Sequence, residues 1–498
     1  APEDGEGDGD GAPLPPEDPP PEPPRYPTGY VGLDAPASHG AGRFGIGVAL
    51  LGDVTGDGHQ DALAVGYNSG RGGLGVRSGE IVLYPGGPDT PSIDPHAGVS
   101  LNGFLGHGGY DVPWNGTSLG DFDGDEASDF AVILRADERP SNFNNATYLA
   151  PEGGCYARRN DSGGIYIFRG GAAFDTAPDF VFYSRIGGFN PEAIDGGFDF
   201  NGDGFDDFAL GSYRWDGPGA NDSGGIFIVS GRPHAEPGRL QVICDTLFEF
   251  NGSNRGDNFG RSVAGVGDID GDGCDEVAFG GQGNDDAGLN NQGMVRIVYG
   301  TGEGCAPGPR MVRLVSGEAN SQAGWAMSAG DADGDGRIDL AVGARARRTN
   351  NVTTGGAWLL PWTFLRTLEP STLEAVEDAP TASMSAVGSD WLVEGTLQSA
   401  ELGRSVAIAG QRLAVGSLFD TVGDVARVGT VRIYDVSRDG VSASPSALFV
   451  GETSRPGGRL GEFMRGGQIG GRPAVIVGAP YGNGTGLDNG SAYVLELE

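Results

Sequence analysis

Acidic side chains recur in this sequence at an internal spacing that suits the binding of a hard divalent cation. Five nine-residue windows carry an oxygen-bearing side chain at positions 1, 3, 5 and 9. They begin at Asp53, Asp121, Asp199, Asp268 and Asp331, and are called loops 1 to 5. Calcium takes about six to eight oxygen ligands at about 2.3–2.6 Å, many of them from carboxylates. The pattern therefore predicts five calcium-binding loops.

Each loop offers four side-chain ligands and one backbone carbonyl, at position 7. The predicted side-chain ligands are Asp53, Thr55, Asp57, Asp61, Asp121, Asp123, Asp125, Asp129, Asp199, Asn201, Asp203, Asp207, Asp268, Asp270, Asp272, Glu276, Asp331, Asp333, Asp335 and Asp339. The predicted carbonyls belong to His59, Ala127, Phe205, Cys274 and Arg337. We expect up to five ions in a structural role, because crowded carboxylates repel one another and a cation relieves that repulsion.

The five loops differ in how well their residues suit calcium binding. Loop 5 has Asp at all four side-chain positions and both turn glycines, so we expect it to bind best. Loop 1 carries the neutral Thr55 at position 3, and loop 2 carries Glu126 where the others have glycine, which costs backbone strain. Loop 4 ends in Asp275 and Glu276, and either could be the ligand. For one isolated loop an ordinary Asp-Gly hairpin turn is an alternative, but it explains five copies poorly.

The elements that position these loops are short strands in a long-period repeat. The windows start 68, 78, 69 and 63 residues apart, and each is followed by two glycine-bounded apolar runs, as in ALAVG and GEIVLYPG. Short runs of β-branched and aromatic residues between glycines favour strands over helices. Two more units, around Leu402 and Leu460, keep the strand pattern without the acidic loop. Five units and two give seven repeats.

Glycine pairs mark the unit boundaries. The opening pairs are Phe44-Gly45, Phe259-Gly260, Leu402-Gly403 and Leu460-Gly461, and the second strands close on Gly343-Ala344 and Gly478-Ala479-Pro480. These features resemble the FG-GAP repeat of the integrin α-subunit propeller and of related bacterial and phospholipase-associated domains. The resemblance implies an all-β fold, a seven-bladed β-propeller of four-stranded antiparallel blades. It also implies that the calcium loops lie on the lower face of the disc and that ligands bind the upper face.

The extent of the repeat divides the chain into two parts. Residues 1–25 are acidic and rich in Pro and Gly, so we expect a disordered tether, and residues 26–498 should form the propeller. The last repeat ends on its third strand. Its outer strand is therefore expected from residues 26–34, which would close the ring and remove an open sheet edge.

Four cysteines without CxxC spacing favour two disulfides. In the strand order that the resemblance implies, the connection 135–163 and the segment after Cys244 lie on the upper face, whereas Cys274 and Cys305 share the lower face. The expected pairs are then Cys155–Cys244 and Cys274–Cys305. Disulfides and calcium loops together favour an extracellular or cell-surface protein, either processed from a secreted precursor or held as a lipoprotein through the N-terminal tail.

Charge excludes several classes of partner. The net charge of −36 argues against nucleic acid and anionic membrane surfaces. No apolar run approaches the roughly 18 residues of a membrane helix, so we expect no membrane insertion.

Catalytic motifs are weak, and we expect a binding protein that is not an enzyme. Ser118 fits a G-x-S-x-G pattern but sits in a predicted strand before loop 2, with no helix to form a nucleophile elbow. The leading hypothesis is binding of a protein or glycan through the upper face. A hydrolase or hydrolase-accessory propeller and a purely structural module of a surface assembly remain alternatives.

The long connection 135–163 carries candidate ligand-binding side chains of types favoured at interfaces. They are Phe143, Tyr148, Tyr156, Arg158 and Arg159. A merely decorative insertion is an equally good interpretation of this segment.

Overall fold

In a computed structural model, the described residues form seven sheets that are each built on four antiparallel strands. The structure describes residues 30–33, 43–67, 79–88, 93–101, 112–135, 148–149, 163–171, 174–217, 220–236, 238–285, 288–308, 310–372, 379–422, 427–451, 458–481 and 490–497. The innermost strands of neighbouring sheets contact one another all the way round, so the sheets are the blades of a closed propeller. The predicted fold is confirmed.

Blades 1 to 3 follow one another along the sequence, although a short additional strand interrupts blade 2 and another interrupts blade 3. Blade 1 contains Gly47–Leu50, Ala62–Tyr67, Gly79–Tyr84 and Val99–Ser100. Blade 2 contains Val112–Gly120, Asp129–Arg135, Gly164–Phe168 and Phe180–Phe182. Blade 3 contains Ala193–Phe198, Asp207–Ser212, Gly225–Val229 and Phe248–Asn251. In each list the first strand is the innermost.

Blades 4 to 7 repeat this order. Blade 4 contains Phe259–Gly267, Glu276–Gly281, Met294–Tyr299 and Arg310–Val315. Blade 5 contains Ala323–Gly330, Asp339–Ala344, Gly356–Leu360 and Leu392–Glu394. Blade 6 contains Leu402–Ile408, Arg412–Ser417, Thr430–Ser437 and Ala447–Val450. Blade 7 contains Phe463–Ile469, Arg472–Ala479, Ser491–Glu496 and, as its outer strand, Tyr30–Leu33.

The ring closes by pairing the two ends of the chain in blade 7. Tyr30–Leu33 pairs antiparallel with Ser491–Glu496, with Tyr30 opposite Leu495 and Leu33 opposite Ala492. Val31 and Leu33 are buried in the core that blade 7 shares with blade 1. The expected N-terminal strand is thus confirmed, while the predicted tether, residues 1–25, lies outside the described residues.

The glycine of the unit-opening pair is required where one blade meets the blade before it. Gly260 adopts φ +81°, and a Cβ at this position would lie 2.4 Å from the carbonyl oxygen of Gly225 in blade 3. Gly403 has the same φ, and its Cβ would lie 2.0 Å from the oxygen of Gly356 in blade 5. Only glycine fits such a close approach. The Phe-Gly and Leu-Gly pairs are therefore packing signals between consecutive blades.

The remaining elements are short and lie outside this frame. Leu240–Ile243 pairs parallel with the outer strand of blade 2, and Tyr148–Leu149 pairs parallel with Leu240–Ile243. Ser371–Thr372 and Thr381–Ser383 extend blade 4, Arg348–Thr349 pairs with Val352–Thr353, and Gly440–Val441 extends the third strand of blade 6. Helical segments in the described part of the chain include Trp362–Leu365, Met384–Val387 and Ser389–Trp391. Among the described residues, no helix is long and apolar enough to cross a membrane.

Each inner strand runs from the face that carries the opening glycine to the face that carries the connection to the second strand. We call these the upper and the lower face. All five acidic loops connect an inner strand to a second strand, so all five lie on the lower face. In blades 6 and 7 the same connection is a short turn without an acidic loop, between Ile408 and Arg412 and between Ile469 and Arg472.

Candidate functional site

The five acidic loops share one hydrogen-bond frame. In every loop the position-1 carboxylate accepts the backbone N–H groups of positions 5 and 6, and the position-5 carboxylate accepts the N–H of position 7. In loop 5, for example, Asp335 and Gly336 donate to Asp331 at 3.1 and 3.0 Å. These bonds curl the backbone so that its acidic side chains face a common centre.

The position-9 carboxylate fastens each loop to the backbone just beyond the end of the third strand of its blade. In loop 3, Asp207 accepts the N–H of Phe200 at 2.9 Å with one oxygen and the N–H of Gly231 at 2.9 Å with the other. Asp61, Asp129, Glu276 and Asp339 make the corresponding pairs of bonds. All five of these acids are fully buried.

The loop geometry fits a divalent cation. In loop 2 one carboxylate oxygen from each of Asp121, Asp123 and Asp129 lies within 4.8 Å of the other two, and positions 1, 3 and 9 of loops 4 and 5 are grouped in the same way. Oxygens that each lie about 2.3–2.6 Å from the same calcium ion are at most about 5 Å from one another, so the observed grouping matches a calcium ligand set. The buried Oδ1 of Asp123 has no hydrogen-bond partner within the described part of the chain. A cation would supply the partner that this oxygen lacks.

Loops 1 and 3 differ from the others at position 3, where Thr55 and Asn201 replace Asp. Their side chains can still offer oxygen ligands, but each loop then brings one negative charge fewer to its centre. Calcium affinity rises with the charge of the ligand set. From the residue at position 3, we therefore expect a higher calcium affinity in loops 2, 4 and 5 than in loops 1 and 3.

Arginine side chains already contact two of the three most acidic loops. Arg169, at the end of the third strand of blade 2, pairs through Nε with Asp123 and through Nη2 with Asp125 at 2.8 Å. In blade 4, Arg310 pairs with Asp270 at 2.6 Å and with Asp272 at 3.0 Å. Each guanidinium partly neutralises the loop that it contacts, as a bound cation would.

The structure also separates the roles of the two acids that end loop 4. Glu276 turns into its own loop, where it accepts the N–H of Ile269 at 2.6 Å and lies in one group with Asp268 and Asp270. Asp275 turns out of the loop and accepts the N–H of Asp199 in blade 3 at 2.9 Å. Glu276 is therefore the candidate ligand, and Asp275 links two blades.

Glu126 adopts the backbone conformation that glycine holds in the other loops. Its φ is +69°, against +83° to +93° for Gly58, Gly204, Gly273 and Gly336. A side chain at positive φ costs free energy, of the order of 1 kcal/mol. The predicted strain at Glu126 is thus present in loop 2.

Burial makes the position-9 acids hold their protons strongly. It raises the pKa of Asp129 and of Asp207 to about 8, and that of Glu276 to about 9. It raises the pKa of Asp339 to about 6 and also raises that of Asp61, whose backbone hydrogen bonds oppose the effect. Neighbouring loop carboxylates add to each of these shifts. A bound cation would favour the charged forms and offset the cost of burying them.

One disulfide braces loop 4. Cys274 and Cys305 are bonded, as predicted, with their Cα atoms 5.9 Å apart. Next to the bridge, the N–H of Ala306 donates to the ligand candidate Asp272 at 2.8 Å. Cys244 is also disulfide-bonded, but Cys155 lies outside the described residues, so the Cys155–Cys244 pair stays a prediction.

The segment after Cys244 was expected on the upper face, and this expectation is wrong. Arg232 follows the lower end of the third strand of blade 3 and pairs with Asp245 at 3.0 Å. Leu247 then donates to Ile228 near the same end of that strand. The inserted strand Leu240–Ile243 therefore returns the chain to the lower end of blade 3, from which its fourth strand begins.

The candidate ligand-binding residues of the connection 135–163 are described only in part. Tyr148 belongs to the two-residue strand at the outer edge of blade 2, at the periphery of the disc. Phe143, Tyr156, Arg158 and Arg159 lie outside the described residues. Ser118 lies within the inner strand Val112–Gly120, and no helix follows that strand before the second strand of the blade.

Sequence reasoning missed the residues at the upper mouth of the central channel. A cavity of about 80 Å³ opens there, and its charged and aromatic lining consists of Glu192, Arg261, Trp325, Arg404, Glu462, Phe463 and Arg465. Three of them directly follow the opening glycines Gly260, Gly403 and Gly461, and Trp325 follows the equivalent Gly324, which comes after Ala323 and has φ +80°. The repeat register was the available signal, because it brings these four positions to the same height in consecutive blades.

Comparison with known proteins agrees with the fold. The family model of the FG-GAP repeat matches residues 190–229. Phosphatidylinositol-glycan-specific phospholipase D of Mus musculus is 30% identical over 162 residues, which are 32% of this chain and 18% of the relative. The Rattus norvegicus protein of the same name is 28% identical over 161 residues, also 32% of this chain and 18% of the relative. Integrin alpha pat-2 of Caenorhabditis briggsae is 31% identical over 160 residues, 29% of this chain and 12% of the relative.

These relatives correct one expectation. The sequence suggested a protein that is not an enzyme, but phospholipases D are enzymes, so that expectation is contradicted. The matches span less than a fifth of the length of the relatives named here. What the whole relatives do therefore does not transfer directly to this chain.

Proposed function

Since the chain is a seven-bladed propeller of the FG-GAP type, we propose that it is a calcium-stabilised extracellular or cell-surface module that binds a protein or glycan through its upper face. One observation carries the proposal. All five acidic loops lie on the lower face, and three of them group their carboxylates as a cation site would, whereas the cavity lined by charged and aromatic side chains opens on the upper face. The lower face would then stabilise the fold, and the upper face would be free to bind a partner.

Calcium would act here by joining strands. In each loop the residues at positions 1, 3, 5 and 9 would hold the ion together with the carbonyl of position 7. The ion would supply a positive charge among carboxylates that burial and mutual repulsion otherwise disfavour. Because position 9 is also bonded to the backbone just beyond the third strand, as Asp207 is to Gly231, the ion would stabilise three strands of the blade at once.

The location rests on the disulfide and on the calcium loops. Cys274–Cys305 suits an oxidising compartment, and loops of this type suit the calcium concentration outside cells. We propose that the acidic segment 1–25 tethers the propeller at a surface.

A second candidate function follows from the phospholipase relatives. The chain would then be the propeller of a hydrolase or of its accessory module, and the relatives' names suggest a phosphatidylinositol glycan as the substrate class. Release of a glycan-anchored reporter protein from vesicles by the purified chain would support this function. A chain that releases nothing while binding the same vesicles would support an accessory role.

The leading proposal is tested by a binding screen on immobilised surface proteins and glycans, with calcium and with chelator. We expect binding that survives substitutions on the lower face which leave the fold intact, and that is lost with substitutions at the channel mouth. Binding that depends only on lower-face residues would contradict the assignment of the upper face.

A further inference from the structure

Three arginines surround one tryptophan at the upper mouth of the channel. The guanidinium carbons of Arg261, Arg345 and Arg404 lie 4.5, 3.8 and 4.5 Å from the ring centre of Trp325. Cation–π contacts of this kind are favourable and fix the orientation of the planar guanidinium groups. The cluster joins blade 4, which contributes Arg261, to blades 5 and 6.

The cavity beside this cluster carries a small positive charge in a strongly acidic protein. Its charged lining consists of Arg261, Arg404, Arg465, Glu192 and Glu462, which gives 3 − 2 = +1. The whole chain carries −36. A single local positive charge suits a monovalent anion better than a divalent one.

Two of the three arginines that line this cavity, Arg261 and Arg404, lack good acceptors, whereas Arg465 donates to the carbonyl of Ile194 at 2.9 Å. Among the described residues, Arg261 makes no hydrogen bond or ion pair, and its Nε is buried without a partner. Arg404 reaches Glu401 and Glu462 only at 3.5 Å, beyond the usual 2.7–3.2 Å of a hydrogen bond. Burial, and then repulsion from Arg261, lowers the pKa of Arg404 to about 10.

A structural arginine elsewhere in the same protein shows the contrast. Arg347 in blade 5 also lies near a tryptophan, at 5.6 Å from the ring centre of Trp358. It is buried, and it is saturated by ion pairs to Glu318, at 2.9 Å, and to Glu394. Arg261 and Arg404 also stack on a tryptophan, Trp325, but they lack the close carboxylate acceptors that Arg347 has. Both residues are half-buried at the mouth of the cavity, so their guanidinium groups keep donors available for an acceptor that binds there.

We propose that the channel mouth binds the carboxylate of one acidic side chain from a partner polypeptide. Arg261 and Arg404 would donate to it, and Trp325 would hold both guanidinium groups in place. A planar carboxylate matches the fork of an arginine, and one negative charge matches the net charge of the lining. With about 10–15 Å³ for each water-sized group, the cavity of about 80 Å³ holds the end of a side chain, whereas a sugar ring is too large for it. This inference rests on the proposed role of the upper face.

The test uses the calcium-loaded chain and a capped Gly-Gly-Glu-Gly-Gly peptide, followed by tryptophan fluorescence and titration calorimetry. We expect saturable binding, a fluorescence change that disappears in Trp325→Phe, and no binding of the matched peptide with Gln in place of Glu. Arg261→Gln and Arg404→Gln should each weaken binding at least about tenfold, as expected for a hydrogen bond between charged groups.

Controls distinguish this site from general charge effects. Arg185→Gln removes an exposed arginine that does not line the cavity and should leave binding unchanged. Arg261→Lys keeps the charge but loses the fork, so it should bind more weakly than the wild type even if Arg261→Gln unfolds. Thermal melting of every variant separates loss of binding from loss of fold.

Four results would overturn the proposal. They are no saturable binding of the Glu peptide, equal binding of the Gln peptide, equal loss in Arg185→Gln, and equal or tighter binding of glucuronate or inorganic phosphate. A natural partner that binds the upper face with the same affinity in Arg261→Gln would also defeat it, while leaving the proposed function intact. A partner that binds only the lower face would instead defeat the proposed function.

Discussion

Asp275 in blade 4 and Asp199 in blade 3 are joined by two reciprocal hydrogen bonds. The N–H of Asp199 donates to Oδ2 of Asp275 at 2.9 Å, and the N–H of Asp275 donates to the carbonyl of Asp199 at 2.8 Å. Asp206 and Asp121 repeat the arrangement between blades 3 and 2, at 2.8 and 3.1 Å. Position 8 of one loop thus holds position 1 of the loop before it, so loops 2, 3 and 4 form one connected chain along the lower face.

The first prediction concerns this link. Asp275→Ala leaves the N–H of Asp199 without its acceptor, and we expect a loss of about 1–3 kcal/mol in the free energy of unfolding. Asp275→Asn keeps an acceptor oxygen and should lose less. Chemical denaturation in calcium measures both. Equal losses in the two variants would show that the charge of Asp275 matters and the hydrogen bond does not.

The second prediction concerns the number of ions. Asp335 lies in the loop with four Asp ligands and both glycines, so Asp335→Ala should bind one calcium ion fewer and melt at a lower temperature. Asp439→Ala, which removes an exposed acid of blade 6, is the matched control and should bind as many ions as the wild type. Equilibrium dialysis with elemental analysis gives the stoichiometry. A wild-type chain whose melting temperature is unchanged by excess chelator would contradict the calcium assignment.

The third prediction concerns Arg169. Its guanidinium pairs with Asp123 and Asp125 in loop 2 and competes there with a bound cation. Arg169→Ala should therefore raise the calcium affinity of loop 2 by about fivefold, since a nearby charge pair is worth about 1 kcal/mol. In chelator the same variant should be less stable, because the carboxylates then lose their only strong counter-charge among the described residues. Calorimetric titration compares it with Arg185→Ala, and weaker calcium binding in Arg169→Ala would contradict the idea of competition.

The fourth prediction concerns pH in the presence of chelator. The folded chain binds protons at Asp129, Asp207 and Glu276 more tightly than the unfolded chain, since their pKa values rise to about 8, 8 and 9. Stability then falls as the pH rises from about 4, near the ordinary pKa, to about 9. The melting temperature in chelator should therefore be lower at pH 8.5 than at pH 5.5. Calcium should reduce or reverse the difference, and a higher melting temperature at pH 8.5 in chelator would be the contrary result.

The fifth prediction concerns the Cys274–Cys305 bridge. The bridge spans 31 residues of sequence, for which the chain-entropy estimate is about 3–4 kcal/mol. The Cys274→Ser, Cys305→Ser double variant should lose stability of that order, and its loop 4 should bind calcium more weakly because Ala306 no longer stays close to Asp272. Denaturation and calcium titration measure the two effects. Unchanged calcium binding with reduced stability would confine the bridge to a purely structural role.

The sequence alone predicted the strands and the acidic loops, because both are local and repeated. Glycine-bounded apolar runs predict strands wherever they occur, and an Asp at every second position of a tight turn converges within one loop. The seven repeats gave the number of units, and the resemblance of their glycine pairs to the FG-GAP repeat implied that these units are the blades of a propeller. Even the use of residues 26–34 to complete blade 7 followed from this repeat, because a blade without its fourth strand leaves an open edge.

Tertiary structure decided what depends on neighbouring blades. The roles of Asp275 and Glu276 look interchangeable in sequence, but only Glu276 turns into the loop, since Asp275 is held by Asp199. The course of the chain after Cys244 could not be deduced, because the strand Leu240–Ile243 leaves its own blade to pair with blade 2. Trp325 lies 64 residues after Arg261 and 79 residues before Arg404 in the sequence. Only the packing of neighbouring blades in the ring brings the three side chains into one cluster.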